Sequence, residues 1–285
     1  MIRDNEDITI HKMTNHRCTK KSSALTPSQG HKYSPNSILN PQKFKKGKTR
    51  WNQYARTLAK INTQALSGPM LDFGCGIGYF VLEGLQRKMD IWGVDRSLGK
   101  LVRYEKLLEH TSSPRVWKNR CVISDGADLP FRSNHFAAVT SWYVFEHIKA
   151  PGNVIQELVR ITRPEGIIVI RAEDARNFWE GHCKIPWIPF LSGRLARVWI
   201  EEFGKSPELR RGVYDITQPQ IISILEALGC RIAIQAPPPR TLIANHHMLA
   251  EEEQVRRTAR SIKKKFENGE WLPQAENLFI YAQKK

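Results

Sequence analysis

Three glycines at alternate positions, Gly74, Gly76 and Gly78, stand in the stretch LDFGCGIGYF, two residues after Asp72. A glycine cluster marks a place where the backbone turns sharply or comes close to something. The apolar run before it and the aromatic run after it make it the turn between a strand and a helix. Ligands of open parallel sheets bind beside such turns, at the carboxyl ends of the strands. A dinucleotide fingerprint would read GxGxxG and seat a pyrophosphate on the helix N-terminus. Here the spacing is GxGxG, and Tyr79 stands where the third glycine of that fingerprint would be. Asp72 is a poor neighbour for a pyrophosphate and a good one for an ammonium or sulfonium group. The cradle therefore favours a cationic ligand over a nicotinamide dinucleotide.

The elements that must position this turn can be read from periodicity. Strands are predicted at Met70 to Phe73, Asp90 to Val94, Arg120 to Ser124, Phe136 to Thr140, Gly166 to Ala172, Arg231 to Gln235 and Phe279 to Gln283. Helices are predicted at Trp51 to Leu66, Tyr79 to Gln86, Leu98 to Glu109, about Gly152 to Ile161, Gln218 to Leu228 and about Leu249 to Phe266. Strands separated by helices make βαβ units. The expected fold is α/β: a Rossmann-like, seven-stranded, mostly parallel sheet with helices on both faces. Residues 1–48 are polar and basic and are expected to form a disordered tail. Residues 49–285 are expected to form one domain with insertions at about 173–216 and 237–275.

With the order of elements in place, the chain resembles the class I S-adenosylmethionine-dependent methyltransferases, in style the small-molecule, ubiquinone-biosynthesis type. LDFGCGIGYF resembles that family's first motif. IWGVDRS places Asp95, with Arg96 beside it, where the family's acid binds the ribose hydroxyls. SDGADLPF places Asp125 and Gly126 at the adenine contacts. SNHFAAVTSWYVFEHI resembles the fourth strand and its loop, and VIQELVRITRPEGIIVI the helix, turn and fifth strand that follow. The resemblance is close over about residues 65–172. It implies S-adenosyl-L-methionine as cofactor, held by Asp72, Gly74, Cys75, Gly76, Gly78, Asp95, Arg96, Asp125, Gly126, Ser141 and Trp142. Two departures stand out: Ala137 follows the fourth-strand Phe where the family has Asp, and Glu165-Gly166 replaces Gly-Gly. Plainer uses remain open: Asp72 and Asp125 could cap turns, and Cys75 could simply pack.

Methyl transfer to a hydroxyl or amine needs the proton removed, so a base is useful. The loop from Ser141 to His147 should face the methyl group. Trp142 or Tyr143 could hold a sulfonium by cation–π contact. His147 is the first candidate base and His182 the second, though His147 could equally cap or pack. The insertion WEGHCKIPWIPFLSGRLARVW should hang over the pocket as a lid. It resembles, more weakly, a segment of methyltransferases of cell-envelope glycan and glycolipid assembly. Aromatic faces suit sugar rings or acyl chains, and arginines suit phosphates. A flap that merely packs on the sheet is the alternative. No metal site is expected.

The chain carries 44 Lys and Arg against 28 Asp and Glu, a net charge of +16. Residues 1–50 hold 11 of the bases and 3 of the acids, half of the excess. Such a surface attracts polyanions, although a solubilising tail would look the same. QVRRTARSIKKKF, with six bases, is expected to be a basic amphipathic helix able to lie on anionic membrane or RNA, or else to pack by its apolar face. The five scattered cysteines, the early acids and the lack of a long apolar run predict a reduced, cytoplasmic protein, with peripheral contact at the inner membrane surface left open. The expected acceptor is a small molecule, anionic and sugar- or lipid-linked, methylated on oxygen. An RNA or protein methyltransferase using the basic tail, and a non-catalytic cofactor-binding module, remain rivals; nucleic acid as a partner stays open.

Overall fold

A computed structural model describes residues 40–61, 67–237, 251–270 and 277–285. Most of the basic segment 1–48 lies outside these residues. Its last part does not: helix α1 spans Pro41–Ile61 and so begins ten residues before Trp51. KFKKGK has no apolar period, yet it is held by contact. Phe44 meets Tyr79 edge-on at 5.0 Å, and a side chain at Gly47 would sit 2.9 Å from the Tyr79 carbonyl.

The expected alternation follows. Strand β1 is Met70–Phe73, helix α2 Tyr79–Gln86, β2 Ile91–Asp95 and α3 Leu98–His110. Then come β3 Cys121–Ile123, β4 Phe136–Trp142, α4 Pro151–Ile161 and β5 Thr162–Ala172. After the first insertion come α6 (Gln218–Ala227) and β8 (Cys230–Gln235), and the chain ends in β9 (Leu278–Lys284). The seven strands lie in the order β3-β2-β1-β4-β5-β9-β8. The first five are parallel, and β9 runs antiparallel to both its neighbours. This is the predicted Rossmann-like sheet. The order reverses between β1 and β4, and both faces are covered. Leu71, Val139, Ile155 and Ile168 lie in one core layer, and Met70, Phe80, Tyr104 and Val169 in the other.

The first insertion is a cap with its own apolar core. It holds a short hairpin, β6 (Trp179–Glu180) against β7 (Ile185–Pro186), and helix α5 (Gly193–Glu202). Helix α7 (Glu252–Glu267), from the second insertion, packs against α5. Val255 and Ala259 of α7 are fully buried there, with Ile262 partly buried. The basic helix thus spends its apolar face on the cap and does not present it to a membrane or RNA. Its bases are partly matched: Arg256 and Arg260 both donate to Glu202 of α5. Among the described residues no helix is long and apolar enough to cross a membrane.

The tryptophans of the cap mostly face inward, contrary to the expectation of an aromatic ligand platform. Trp199 is fully buried, and its indole N–H donates to the Pro186 carbonyl at 2.8 Å. Trp187 is buried under the Arg210 guanidinium. Trp179 leans on Phe266 of α7. Phe190 is exposed. Trp199→Ala is expected to lower stability by about 3–5 kcal/mol, since it leaves a cavity and an unmatched Pro186 carbonyl. Urea denaturation checks it; a loss under about 1 kcal/mol would mean that α5 and α7 do not form a closed core.

Candidate functional site

The sheet brings β1, β2 and β4 together by their carboxyl ends, and the glycine turn bridges them. The amides of Gly74 and Cys75 both donate to the Val94 carbonyl. Gly74, Gly76 and Gly78 all have left-handed backbones, with φ between 62° and 81°. At Gly74 a Cβ would lie 2.2 Å from Val144, so only glycine lets the loop after β4 close on the turn. At Gly76 a Cβ would meet nothing within 4 Å, so the cradle opens there.

Asp95 ends β2 almost completely buried. Its carboxylate accepts from the Gly76 amide (2.9 Å), the Ser97 amide (3.0 Å) and Lys100 Nζ (3.2 Å). Asp72, buried beneath the turn, accepts from the Thr140 hydroxyl at 2.9 Å. Burial pushes its carboxyl up to about 7, against the Thr140 hydrogen bond and the nearby Arg50 charge, which favour the ionised form. Arg50 of α1 lies over the rings of Trp142 and Tyr143, at 5.8 and 5.6 Å. The faces expected to meet a sulfonium therefore already carry a cation of the chain itself. Trp142 is buried against Phe80, and Ser141 Oγ is buried with no partner. Gly126 is buried and left-handed, with Phe73 where a Cβ would go. Arg96 and Asp125 are exposed on the rim, and Asp125 accepts from the Ala127 amide. Cys75 lies 4.0 Å from Cys121 Sγ. The hydrogen bond to Cys121, then burial, pushes its thiol well up, which suits a packed residue and not a nucleophile.

Past the ends of β4 and β5 lies a second group. Glu146 and His147 follow β4, Glu173 follows β5, and Glu180 and His182 belong to the β6–β7 hairpin. The two candidate bases meet: the rings of His147 and His182 are 5.1 Å apart. His147 Nδ1 contacts the Gly212 carbonyl at 3.2 Å. Burial lowers its pKa, so the ring is neutral near pH 7 with Nε2 available. His182 Nδ1 lies 3.3 Å from Glu173 and 3.1 Å from Glu180. Hydrogen bonds to Glu173 and then Glu180 raise its pKa to about 10. A ring already protonated at neutral pH cannot accept a proton, so in this geometry His182 is not a base. Glu146, Glu173, Glu180 and Arg50 were not predicted as site residues. Glu146 was legible as the neighbour of His147, but the others come from elements whose meeting no local spacing announces.

A seven-stranded sheet of this order, with a glycine turn over two buried acids, is the arrangement that the resemblance to the class I methyltransferases implies. Residues 71–170 match the family model described as a methyltransferase domain, and this segment is an S-adenosylmethionine-dependent methyltransferase domain. A methyltransferase of Mycobacterium sp. (strain JLS), itself described as uncharacterized, is 30% identical over 49% of this chain and 52% of its own length. A phosphatidylethanolamine N-methyltransferase of Cereibacter sphaeroides is 28% identical over 47% of this chain and 64% of its own. The chain spans about half the length of the first curated relatives it matches. Among solved structures, an S-adenosylmethionine-dependent methyltransferase from Mesorhizobium loti superposes with a TM-score of 0.50, covering 80% of this chain and 96% of that one at 15% identity. That likeness is one of fold.

Asp72 generates a test. Burial raises its folded pKa above the unfolded 3.8, so between about pH 4 and 7 the native state keeps a proton that the unfolded chain has released. Its burden on stability is absent below that window and grows as pH rises through it. Asp72→Asn is expected to stabilise the protein at pH 8 by on the order of 2 kcal/mol and by little at pH 4. Urea midpoints at both pH values check this; an equal effect at the two would show that the carboxylate is not held raised.

Proposed function

We propose that the protein transfers a methyl group from S-adenosyl-L-methionine to a small-molecule acceptor that enters beneath the cap. The observation that carries the reading is the glycine turn clasped on Asp95, with a polar cluster one strand away. The residues present fit the cofactor. Gly76 faces open space, a buried Ser141 hydroxyl has no partner, and acid and base stand together at Asp72 and Arg50. Asp95 would take the ribose hydroxyls, because a carboxylate can accept two side by side. For that, Lys100 swings away from it. Asp72 would face the ammonium and Arg50 the carboxylate of the methionine end. Gly126 and Asp125 would flank the base, with Arg96 on the rim. Gly74, Cys75 and Gly78 shape the turn, and Trp142 backs it.

When bound, the cofactor supplies an electrophilic methyl group on sulfur. The chain's part is to align an acceptor with that methyl and to exclude water. The loop after β4 does this from below, and the segment returning from the cap closes it from the side. Tyr214 N–H donates to the Glu146 carbonyl at 2.7 Å, which ties the two together. His147, neutral and anchored through Nδ1, is placed to take an acceptor proton on Nε2.

We favour oxygen of a sugar- or lipid-linked acceptor. The net charge of +16 would draw an anionic molecule to the protein. A second reading is methylation of an amine. It is favoured by the local acids Glu146, Glu173 and Glu180, and by the relative named for phosphatidylethanolamine. Peripheral attraction to anionic membrane would come from the surface charge as a whole and not from the face of α7.

Tritiated methyl from S-adenosylmethionine, incubated with host extract and fractionated, tests the reading. Label is expected in the lipid or small-molecule fraction, and its bond to oxygen or nitrogen can then be read by hydrolysis. Asp95→Ala is expected to weaken cofactor binding by at least about 100-fold and to abolish labelling. Label in RNA or protein would overturn the acceptor class. Cofactor binding unchanged in Asp95→Ala would overturn the site.

A further inference from the structure

We infer that Glu146, His147 and His182 form a binding site for a first-row divalent cation, facing the acceptor end of the cleft. Each of the three offers one ligand atom, and all of these atoms lie within 4.8 Å of one another. Ligands about 2.1 Å from one ion are about 3–3.5 Å apart, so small side-chain rotations would close the set. Two imidazoles and one carboxylate on one side of an ion leave the other positions open to water or an acceptor oxygen. The donor set suits Zn²⁺, Fe²⁺ or Mn²⁺ better than Mg²⁺ or Ca²⁺.

Three independent features indicate that the site is built. Glu146 is 2% exposed, and its Oε2 is buried without a hydrogen-bond partner. A buried carboxylate oxygen left alone is costly unless something positive completes it. Next, both histidines have their Nδ1 engaged, His147 by the Gly212 carbonyl and His182 by Glu173 and Glu180. Metal-binding histidines are oriented in this way, with the other ring nitrogen turned to the ion, which at His182 would displace the second ring proton into solvent. The third feature is Gly181, next to His182. A Cβ there would fall 2.1 Å from Glu173 Oε1, so glycine lets the hairpin turn press against that carboxylate. A cavity of ≈ 30 Å³ lined by Glu146, Glu173, Glu180 and Arg210 adjoins the cluster, room for about one or two small ligands such as water. An internal ion pair of His182 with its two glutamates explains only part of this. It leaves Glu146 Oε2 without a hydrogen bond and gives no reason for His147 to converge.

The cation would also resolve the conflict between an acid-lined cleft and an anionic acceptor, since it could hold an acceptor oxygen against the local carboxylates. That role rests on the methyltransferase reading, and with Nε2 of His147 on the ion it replaces the proton transfer assigned to that nitrogen above; the site itself does not rest on that reading.

Chelator-treated full-length chain, freed of any histidine tag, would be titrated calorimetrically with ZnCl₂ and with MnCl₂. One equivalent of at least one of them is expected to bind. Glu146→Gln and His147→Ala are each expected to weaken it at least about tenfold, and Glu173→Gln by about 10- to 100-fold through the orientation of His182. Circular dichroism and cofactor titration of each variant show whether it is folded. Asp95→Ala should lose the cofactor and keep the metal, which separates failure of this site from failure of the methyltransferase reading. No stoichiometric binding by the native chain, or binding indifferent to both Glu146→Gln and His147→Ala in folded protein, would overturn the inference.

Discussion

A carboxylate almost wholly out of water has to be met by donors, and the site is arranged around that need at Asp95. It stands at the end of β2 and accepts from the backbone of two different turns, at Gly76 and Ser97. One residue thereby fixes the start of the βα turn after β1 and the entry to α3. The glycines follow from this clasp. The turn must curl back far enough for an amide to reach Asp95 while leaving room for Val144 and Tyr104 at its sides, and side chains at Gly74 or Gly78 would collide with them. The parallel order β2-β1-β4 supplies the rest, because it delivers three strand ends to one edge of the sheet.

Two other buried acids, Asp72 and Glu146, carry the electrostatic character of the cleft. Asp72 and Glu146 are each pushed up to about 7 by burial, and both feel the charge of Arg50. Two carboxyls kept out of water, with incomplete partners, stabilise nothing in the fold itself. Such unfavourable groups persist where a ligand is to complete them. Glu146 belongs to the loop after β4 and lies toward the cap, whereas Asp72 belongs to β1 and lies beneath the glycine turn. That loop is strained as well, since Tyr143 has φ near 59°.

The sheet was legible because its signals are local. The motif LDFGCGIGYF lies where β1 turns into α2, and Asp95 falls at the last residue of β2. Strand periodicity placed every edge of the main sheet within a few residues, except in β5, which runs back to Thr162 through a turn with Glu165 at positive φ. The start of α1 was illegible for the opposite reason: KFKKGK has nothing helical to show until Tyr79 is beside it. The cap was misread in part because a tryptophan among prolines looks the same whether it faces a ligand or packs inward. Trp199 and Trp187 chose the interior once α7, more than fifty residues away, supplied the other half of that core. The roles of the two histidines could not be told apart from sequence either, since the partners of His182 come from β5 and from its own hairpin.

The cap is more than a cover, since it completes the polar cluster. Glu146 and His147 come from the sheet, but His182 and Glu180 come from the hairpin, and Gly212 from the segment that leads back to α6. The cluster therefore exists only when the cap is seated. Seating depends in turn on α5 packing against α7 and on Glu202 drawing in Arg256 and Arg260. Stability of the basic helix is thus coupled to the geometry of this cluster. On the proposed reading, cofactor would be held on the sheet and acceptor groups would be assembled across the cap, so the first could be in place while the second is unmade. Such an arrangement would let an acceptor enter a site that becomes complete only when the cap is seated, with water then excluded by the same contacts that bring His182 to His147.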